Sequence, residues 1–140
     1  KNRIFMFDIR PLQENDYDDI LIKWWEDWGW EAPQKDFLPD NGKGGIMILE
    51  DDIPICAGFT YVTNSSVAWV DWIVSSKDYR KKPQRENAIG LLIETLTGTC
   101  KRMGFKYCYA LIKHKGLMDT YKQLGYIQAD SYTQEMIKKL

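Results

Sequence analysis

The sequence predicts an α/β protein built on a mixed, mostly antiparallel sheet. Three strand-like runs, at residues 46–49, 53–62 and 67–74, follow one another with only short polar turns between them. A long amphipathic stretch at 84–103 and a near-continuous apolar run at 107–112 come next. A strand, helix and strand in this order form a parallel pair with a right-handed crossover. We therefore expect one central βαβ pair within a sheet of six to seven strands, with about four helices on both faces.

Length and composition indicate one globular domain over residues 1–140. Hydrophobic residues make up 44% of the chain and charged residues 28%, and the net charge is -1. That charge argues against nucleic-acid binding, which needs a broad basic surface. No apolar run reaches membrane-spanning length and the N-terminus lacks a signal-peptide core, so we expect a cytoplasmic protein. One histidine and three well-separated cysteines make a metal site or a Ser-His-Asp triad improbable.

The N-terminal third predicts a strand, a helix and a long loop. Residues 3–10 are rich in strand-forming side chains and end at Pro11. A helix capped by Asn15 or Asp16 follows and ends at Gly29. Its apolar face carries Tyr17, Ile20, Leu21, Trp24, Trp25 and Trp28. Residues 30–45 form a loop long enough to suggest a function, with at most one helical turn near 34–37.

The middle of the chain predicts an antiparallel meander of three strands. Residues 50–52 and 64–66 are polar turns between the runs. Within the second run, Pro54 suits a strand end and Gly58 suits a bulge.

A basic turn at residues 75–83 separates the third run from the long helix. The turn carries the cations Lys77, Arg80, Lys81 and Lys82, and the first cation of the helix, Arg85, follows closely. The first amides of a helix lack intrahelical partners and the helix dipole is positive there, so a cationic turn at this place suits a phosphate group. A solvated charge run before a surface helix is the alternative.

The C-terminal part predicts a buried strand, a short helix and a final β segment. Gly104 suits the end of the long helix, and the run YCYALI at 107–112 suits a central strand covered on both faces. A short helix at 116–124 stops at Gly125, and residues 126–137 supply one or two last strands.

Two motifs within this order of elements resemble those of the GNAT superfamily of N-acetyltransferases. The strand exit reads Val74-Ser75-Ser76-Lys77-Asp78-Tyr79-Arg80, and the short helix ends in Tyr121-Lys122-Gln123-Leu124-Gly125-Tyr126. The resemblance spans essentially the whole chain and implies a GNAT-like mixed sheet. Two features depart from the family pattern: the phosphate turn is long and poor in glycine, and His114 stands where asparagine is common.

The resemblance implies acetyl-coenzyme A as the acetyl donor. Its pyrophosphate would be held by amides and cations at the start of the long helix: Arg80, Lys82, Gln84, Arg85, Glu86, Asn87 and Ala88, with Lys81 nearby. The backbone of Trp72, Ile73 and Val74 would pair with the pantetheine arm, and an amide there would stabilise the developing oxyanion. His114 is expected near the cofactor.

Tyr121 and Asp71 are the candidate catalytic residues. The resemblance implies that Tyr121 protonates the leaving thiolate or hydrogen-bonds to the sulfur, whereas the alternative is a tyrosine packed on the sheet. The family's usual strand base corresponds to Ala68 or Val70 here, and Asp71 lies on the opposite face by strand alternation. A structural role for Asp71 stays open, and the other candidate bases are Glu26, Asp27, Glu31 and a water chain.

The acceptor side is expected at the first helix and the following loop, with Trp28, Trp30, Glu31 and Phe37 as contact residues. The implied activity is acetyl transfer to a primary amine, of a small molecule or a peptide, by direct attack in a ternary complex. We expect a monomer or a homodimer. Two alternatives stay open: a degenerate relative that binds coenzyme A or a protein partner without catalysis, and an α/β protein that holds another phosphate ligand.

Overall fold

A five-stranded mixed sheet organises the described residues, which are 6–132 and 134–140 of a computed structural model. The strands run in chain order across the sheet: β1 (Asp8–Pro11), β2 (Gly45–Glu50), β3 (Ile53–Val62), β4 (Val67–Ser75) and β5 (Tyr107–Tyr109). Neighbouring strands are antiparallel except β4 and β5, which are parallel. The predicted mixed, mostly antiparallel sheet with one parallel pair is confirmed.

Three α-helices flank the sheet in this part of the chain: α1 (Ile22–Asp27), α2 (Pro83–Arg102) and α3 (Lys115–Gln123). A π-helical turn, Tyr17–Leu21, leads directly into α1. Single 3₁₀ turns lie at Lys35–Phe37 and Lys77–Tyr79, and the turn at Pro39–Gly42 passes through left-handed backbone at Asp40 and Asn41. Within the described residues, no helix has the length and apolar character needed to cross a membrane.

The predicted counts of six to seven strands and about four helices are wrong for the described residues. The expected final strands at 126–137 are absent from the described part of that range, where most side chains are exposed. The predicted first strand at 3–10 begins only at Asp8, and residues 3–5 lie outside the described residues.

The strand β5 also differs from its prediction as a long central strand. It covers only three residues and lies at the edge of the sheet, where Tyr107 is 65% exposed. Pairing with β4 stops after Trp69 and Tyr109. Beyond that point the amide of Leu111 donates to the side chain of Asp71, so the two backbones diverge.

Helices pack on both faces of the sheet, as predicted. The apolar stripe of α2, with Leu92, Ile93 and Leu96, is buried with Val70 of β4 on one face. On the other face Trp24 and Trp25 of α1 are buried in a second core. Their expected role as core residues is therefore confirmed, and burial of such large rings is a main source of stability.

A bulge in β4 sets the side-chain directions near the divergence of the strands. Ala57 pairs with Val74 but Phe59 pairs with Asp71, so β4 carries one extra residue opposite Gly58. Trp72, at the bulge, has a φ of +56°. A Cβ on Gly58 would lie 2.5 Å from the end of the Ile73 side chain and 3.1 Å from that of Leu96, so the predicted bulge position is crowded by apolar side chains.

An ion pair ties the end of β1 to the start of the first helix. The Arg10 guanidinium donates two hydrogen bonds to the Asp16 carboxylate, at 2.7 and 3.0 Å, and the Gln13 amide donates a third at 2.6 Å. Asp16 is buried, so these donors replace water around its charge.

Candidate functional site

The site is organised around the point where β4 and β5 separate, which we call the fork. Backbone pairing joins Val67–Trp69 to Tyr107–Tyr109 and ends there, while β4 continues to Ser75. Where two parallel strands separate in this way, the backbone groups and side chains between them become accessible, although helices cover both faces of the sheet.

Asp71 lies at the fork. One carboxylate oxygen accepts the Trp72 amide at 2.9 Å and the other accepts the Leu111 amide at 3.2 Å. Burial raises the pKa of Asp71, although these two hydrogen bonds act to lower it. The fork therefore holds a half-buried carboxyl group that takes up a proton more readily than an exposed aspartate does.

Tyr121 of α3 reaches the same strand from the other face of the sheet. Its hydroxyl donates to the Val70 carbonyl at 2.8 Å, and the side chain is 2% exposed. Burial, with a smaller contribution from the charge of Asp71, raises the pKa of Tyr121 well above its ordinary value. The hydroxyl is therefore protonated at neutral pH, and its proton is engaged by the strand.

A cleft of about 630 Å³ lies between the end of β4, past the fork, and the starts of α2 and α3. We call it the cationic cleft. Its lining residues are Trp28, Trp30, Ile73, Val74, Ser75, Lys81, Lys82, Pro83, Arg85, Glu86, Ile89, His114, Gly116, Leu117 and Thr120.

Trp28 fixes the inner wall of the cationic cleft. Its indole NH donates to the Ser75 carbonyl at 2.8 Å. Two cations, Arg85 and Lys77, lie 5.4 and 5.7 Å from the ring, within cation–π range. The Arg85 side chain also donates to the Ser75 hydroxyl at 3.0 Å, and burial lowers the pKa of Arg85. The guanidinium is thus held inside the cleft by a ring and a hydroxyl.

A stack of three rings extends from the end of α1 to the start of α3. The ring centroids of Trp28 and Trp30 are 5.7 Å apart and the rings are nearly parallel. The ring centroids of Trp30 and His114 are 4.9 Å apart, with an angle of 23° between the ring planes. Because His114 is the residue before α3, this stack forms a wall of the cationic cleft that local sequence could not reveal.

The basic turn places two more cations at the cleft. Lys81 adopts a φ of +64°, and Lys82 directly precedes α2 with its ammonium group 5.2 Å from the Tyr79 ring. Pro83 is the first helical residue and has no amide hydrogen, so one of the usual donors at a helix start is missing. At this end of the cleft, positive charge therefore comes from side chains more than from free backbone N–H groups.

The structure brings only some of the predicted site residues together. The cationic cleft gathers Trp28, Trp30, Ile73, Val74, Lys82, Arg85, Glu86 and His114. Ala88, a residue of α2, is buried in the core, and the Asn87 side chain donates to the Pro83 carbonyl. Arg80 and Glu31 are exposed, Gln84 is half-buried, and none of the three lines the cleft.

The four predicted acceptor residues do not lie together. Trp28 and Trp30 share the cationic cleft with the predicted coenzyme residues. Phe37 does not line the cleft, and its ring instead meets Trp72 edge-on at 6.0 Å. The residues missed by sequence reasoning include Ser75, whose hydroxyl position follows from β4 continuing one residue past its predicted end.

Comparison with known proteins identifies solved structures that share this fold. No family model matches the sequence, and no curated protein matches it either. Solved structures do match. An aminoglycoside acetyltransferase from an uncultured soil metagenomic sample, in complex with sisomicin, aligns with a TM-score of 0.66 at 12% identity, over 95% of this chain and 96% of that one.

Two further structures match over nearly their whole length. Glucosamine-6-phosphate N-acetyltransferase from Arabidopsis thaliana has a TM-score of 0.65 at 13% identity, covering 95% of this chain and 99% of that one. An aminoglycoside N-acetyltransferase in complex with CoA has a TM-score of 0.65 at 14% identity, covering 98% of each chain. The chain has the fold of the GNAT superfamily of N-acetyltransferases. The resemblance predicted from the two motifs is confirmed at the level of fold.

Proposed function

We propose that residues 1–140 form one acetyltransferase domain that moves an acetyl group from acetyl-coenzyme A to a primary amine by direct attack in a ternary complex. The observation that carries this proposal is the cleft at the end of β4, which is lined by Lys81, Lys82 and Arg85 and by the part of β4 that continues past the fork. A linear ligand with a phosphate end and a reactive end suits this arrangement, because its phosphate end would meet the cations and its reactive end, extended along β4 toward the fork, would approach Asp71.

The residues of the cleft fit coenzyme A by their chemistry. Lys81, Lys82 and Arg85 would hold the pyrophosphate, with the amides after Pro83. The backbone of Ile73 and Val74 would pair with the pantetheine arm, and Trp30 and His114 would cover it. When bound, acetyl-coenzyme A supplies an activated acetyl thioester.

Asp71 and Tyr121 supply the proton acceptor and the proton donor in this proposal. In the transfer a C–N bond forms and the C–S bond breaks, while the amine loses a proton and the departing sulfur gains one. Asp71, whose pKa is raised by burial, is suited to accept a proton from an ammonium group. Tyr121 would donate its proton and would first release the Val70 carbonyl.

A catalytically degenerate member is the second candidate. Two observations favour this candidate: Pro83 lacks a backbone N–H at the helix start, and hydrogen bonds occupy both Asp71 oxygens. Such a protein would bind coenzyme A in the same cleft without turning it over.

Two measurements test the proposal. Thermal unfolding with increasing acetyl-coenzyme A should show selective stabilisation over inorganic pyrophosphate, because binding to the folded state alone raises its stability. Release of free thiol in the presence of a panel of amines then distinguishes the enzyme from the degenerate relative. Absence of stabilisation by acetyl-coenzyme A would exclude both.

A further inference from the structure

A row of aromatic side chains crosses three strands next to the fork. Tyr61 of β3 pairs with Trp69 of β4, and Trp69 pairs with Tyr109 of β5. Directly paired residues point to the same face of a sheet, so the three rings form one continuous surface, which we call the aromatic strip. The Trp69 and Tyr109 rings are 4.6 Å apart and tilted at 65°.

The aromatic strip belongs to the sheet face opposite α2. Ala68 and Val70, which alternate with Trp69, are buried under α2. The three rings are each half-buried. The Tyr61 hydroxyl donates to the Phe37 carbonyl at 2.9 Å, which places the loop after α1 at one end of the strip.

A carboxylate adjoins the aromatic strip. Asp71 lies two residues beyond Trp69 on the same strand, and burial together with the charge of Asp71 raises the pKa of Tyr61 to about 12. An approaching molecule therefore meets π-electron faces and negative charge together.

We propose that the aromatic strip is the acceptor site and that the acceptor is a cationic amine carried on an apolar or aromatic body, such as an arylalkylamine. A cation is attracted by the ring faces and by the Asp71 carboxylate, and an apolar body gains contact with the half-buried rings. The Asp71 carboxylate would repel an acceptor that bears phosphate or carboxylate. This inference rests on the proposed function, because the fork is where the reactive end of the donor would meet the amine.

The location differs from the acceptor residues expected from the sequence. Trp28 and Trp30 line the cationic cleft on the coenzyme side, whereas Phe37 alone of the four lies at the border of the strip. Asp71 would then serve both the binding of the ammonium group and the removal of its proton.

Equilibrium binding tests the proposal without relying on turnover. Calorimetric titration of the whole chain, with and without saturating coenzyme A, would compare 2-phenylethylamine, glucosamine 6-phosphate and glutamate. We expect 2-phenylethylamine to bind at least about tenfold more tightly than either anion-bearing amine. Tighter binding of an anion-bearing amine would overturn the inference.

Variants separate the ring faces from simple packing. Trp69→Leu keeps apolar volume but removes the π-face, and we expect it to weaken 2-phenylethylamine binding about 3- to 30-fold. Met103→Ala, at an exposed side chain near the end of α2, is the matched control and should leave binding unchanged. Equal binding by Trp69→Leu and the parent chain would overturn the role of the strip.

The two proposals fail in different measurements. If acetyl-coenzyme A does not stabilise the chain, the proposed function fails, whereas the amine titration without coenzyme still decides what the strip binds. If acetyl-coenzyme A binds and thiol release occurs only with anion-bearing amines, the function stands and the strip assignment is wrong.

Discussion

The Asp71 carboxylate accepts a hydrogen bond from the Leu111 amide at 3.2 Å, at the position where a backbone carbonyl of β4 would otherwise pair with β5. This contact replaces a ladder hydrogen bond by a side chain, so it keeps the fork open and leaves a titratable group inside it. Asp71 therefore has a structural role, and a catalytic role is compatible with it because each carboxylate oxygen has a second lone pair.

The first prediction concerns Asp71→Asn. An amide cannot take a proton from an ammonium group, so we expect turnover to fall about 10²- to 10⁴-fold. In the parent chain, kcat/KM should rise with pH as Asp71 loses its proton. Because burial raises the pKa of Asp71, the midpoint should lie above that of an ordinary aspartate. The pH profile of both chains measures this.

Asp19→Asn, at an exposed residue of the first helical turn, is the control for removal of one negative charge. It should keep the acidic limb of the profile. A profile for Asp71→Asn that matches the parent in shape and height would assign Asp71 a structural role alone.

The second prediction concerns Tyr121→Phe. The change removes the donor to the Val70 carbonyl, which is buried, so unfolding free energy should fall by about 1 to 3 kcal/mol. We expect binding of coenzyme A to persist and turnover to fall about 10²-fold or more. Tyr126→Phe, which removes a hydroxyl bonded to Thr97 on the same side of the sheet, is the control. Unchanged turnover in Tyr121→Phe, with both variants equally destabilised, would sink the catalytic assignment.

Local signals predicted the elements that local chemistry determines. The bounds of β3 follow from flanking turns, of which Asp51 and Asp52 both adopt positive φ in a tight hairpin. The bounds of α2 follow from its apolar stripe and from Gly104, whose φ is +96°.

The site itself depends on contacts between distant parts of the chain. The bond from Leu111 to Asp71 spans 40 positions, and Trp30 meets His114 only because α1 and α3 flank the same cleft. No periodicity encodes such pairs. The position of Trp30 in the loop after the first helix predicted a place on the acceptor side and gave no sign of its contact with His114. The predicted strands at 126–137 failed for a related reason, since alternation alone does not supply a pairing partner.

The third prediction concerns the salt dependence of coenzyme binding. Pro83 has no backbone N–H to donate, so positive charge at this end of the cleft comes from Lys81, Lys82 and Arg85. Because salt screens such charges, affinity for acetyl-coenzyme A should fall steeply between low and high ionic strength. The double variant Lys81→Ala/Lys82→Ala should bind more weakly and show a flatter salt dependence. Lys101→Ala, at the opposite end of α2, should behave as the parent. Calorimetric titrations at several salt concentrations would measure this, and a salt-insensitive affinity in the parent would contradict it.

The fourth prediction concerns Trp30. Its ring stacks on His114 and lines the cationic cleft while 37% exposed, so removing it should cost coenzyme contact more than stability. We expect Trp30→Ala to weaken acetyl-coenzyme A binding about 2- to 10-fold, which corresponds to the usual strength of one aromatic contact. Trp30→Phe should recover most of the loss. Tighter binding by Trp30→Ala would instead mean that the stack obstructs the cleft.

The fifth prediction concerns the pH dependence of stability. Burial acts to raise the pKa of Asp16, but hydrogen bonds from Arg10 and the Gln13 amide outweigh it and hold the pKa below its ordinary value. A carboxyl group with a depressed pKa stabilises the fold above its unfolded pKa, near about 4, and this contribution disappears as pH falls through the folded pKa. Asp16→Asn should therefore lower the unfolding free energy by about 1 to 3 kcal/mol at pH 7.

The Arg10–Asp16 ion pair also predicts how the difference in unfolding free energy between the parent and Asp16→Asn depends on pH. Urea unfolding of the parent and Asp16→Asn should give free energies that converge as Asp16 becomes protonated, because the parent then also lacks the charged acceptor for Arg10. Asp19→Asn, at an exposed position in the same helical turn, should differ little from the parent at either pH. A gap between parent and Asp16→Asn that stays constant from pH 7 to about pH 2 would show that shape and neutral hydrogen bonding, rather than the charge of Asp16, hold β1 to the first helix.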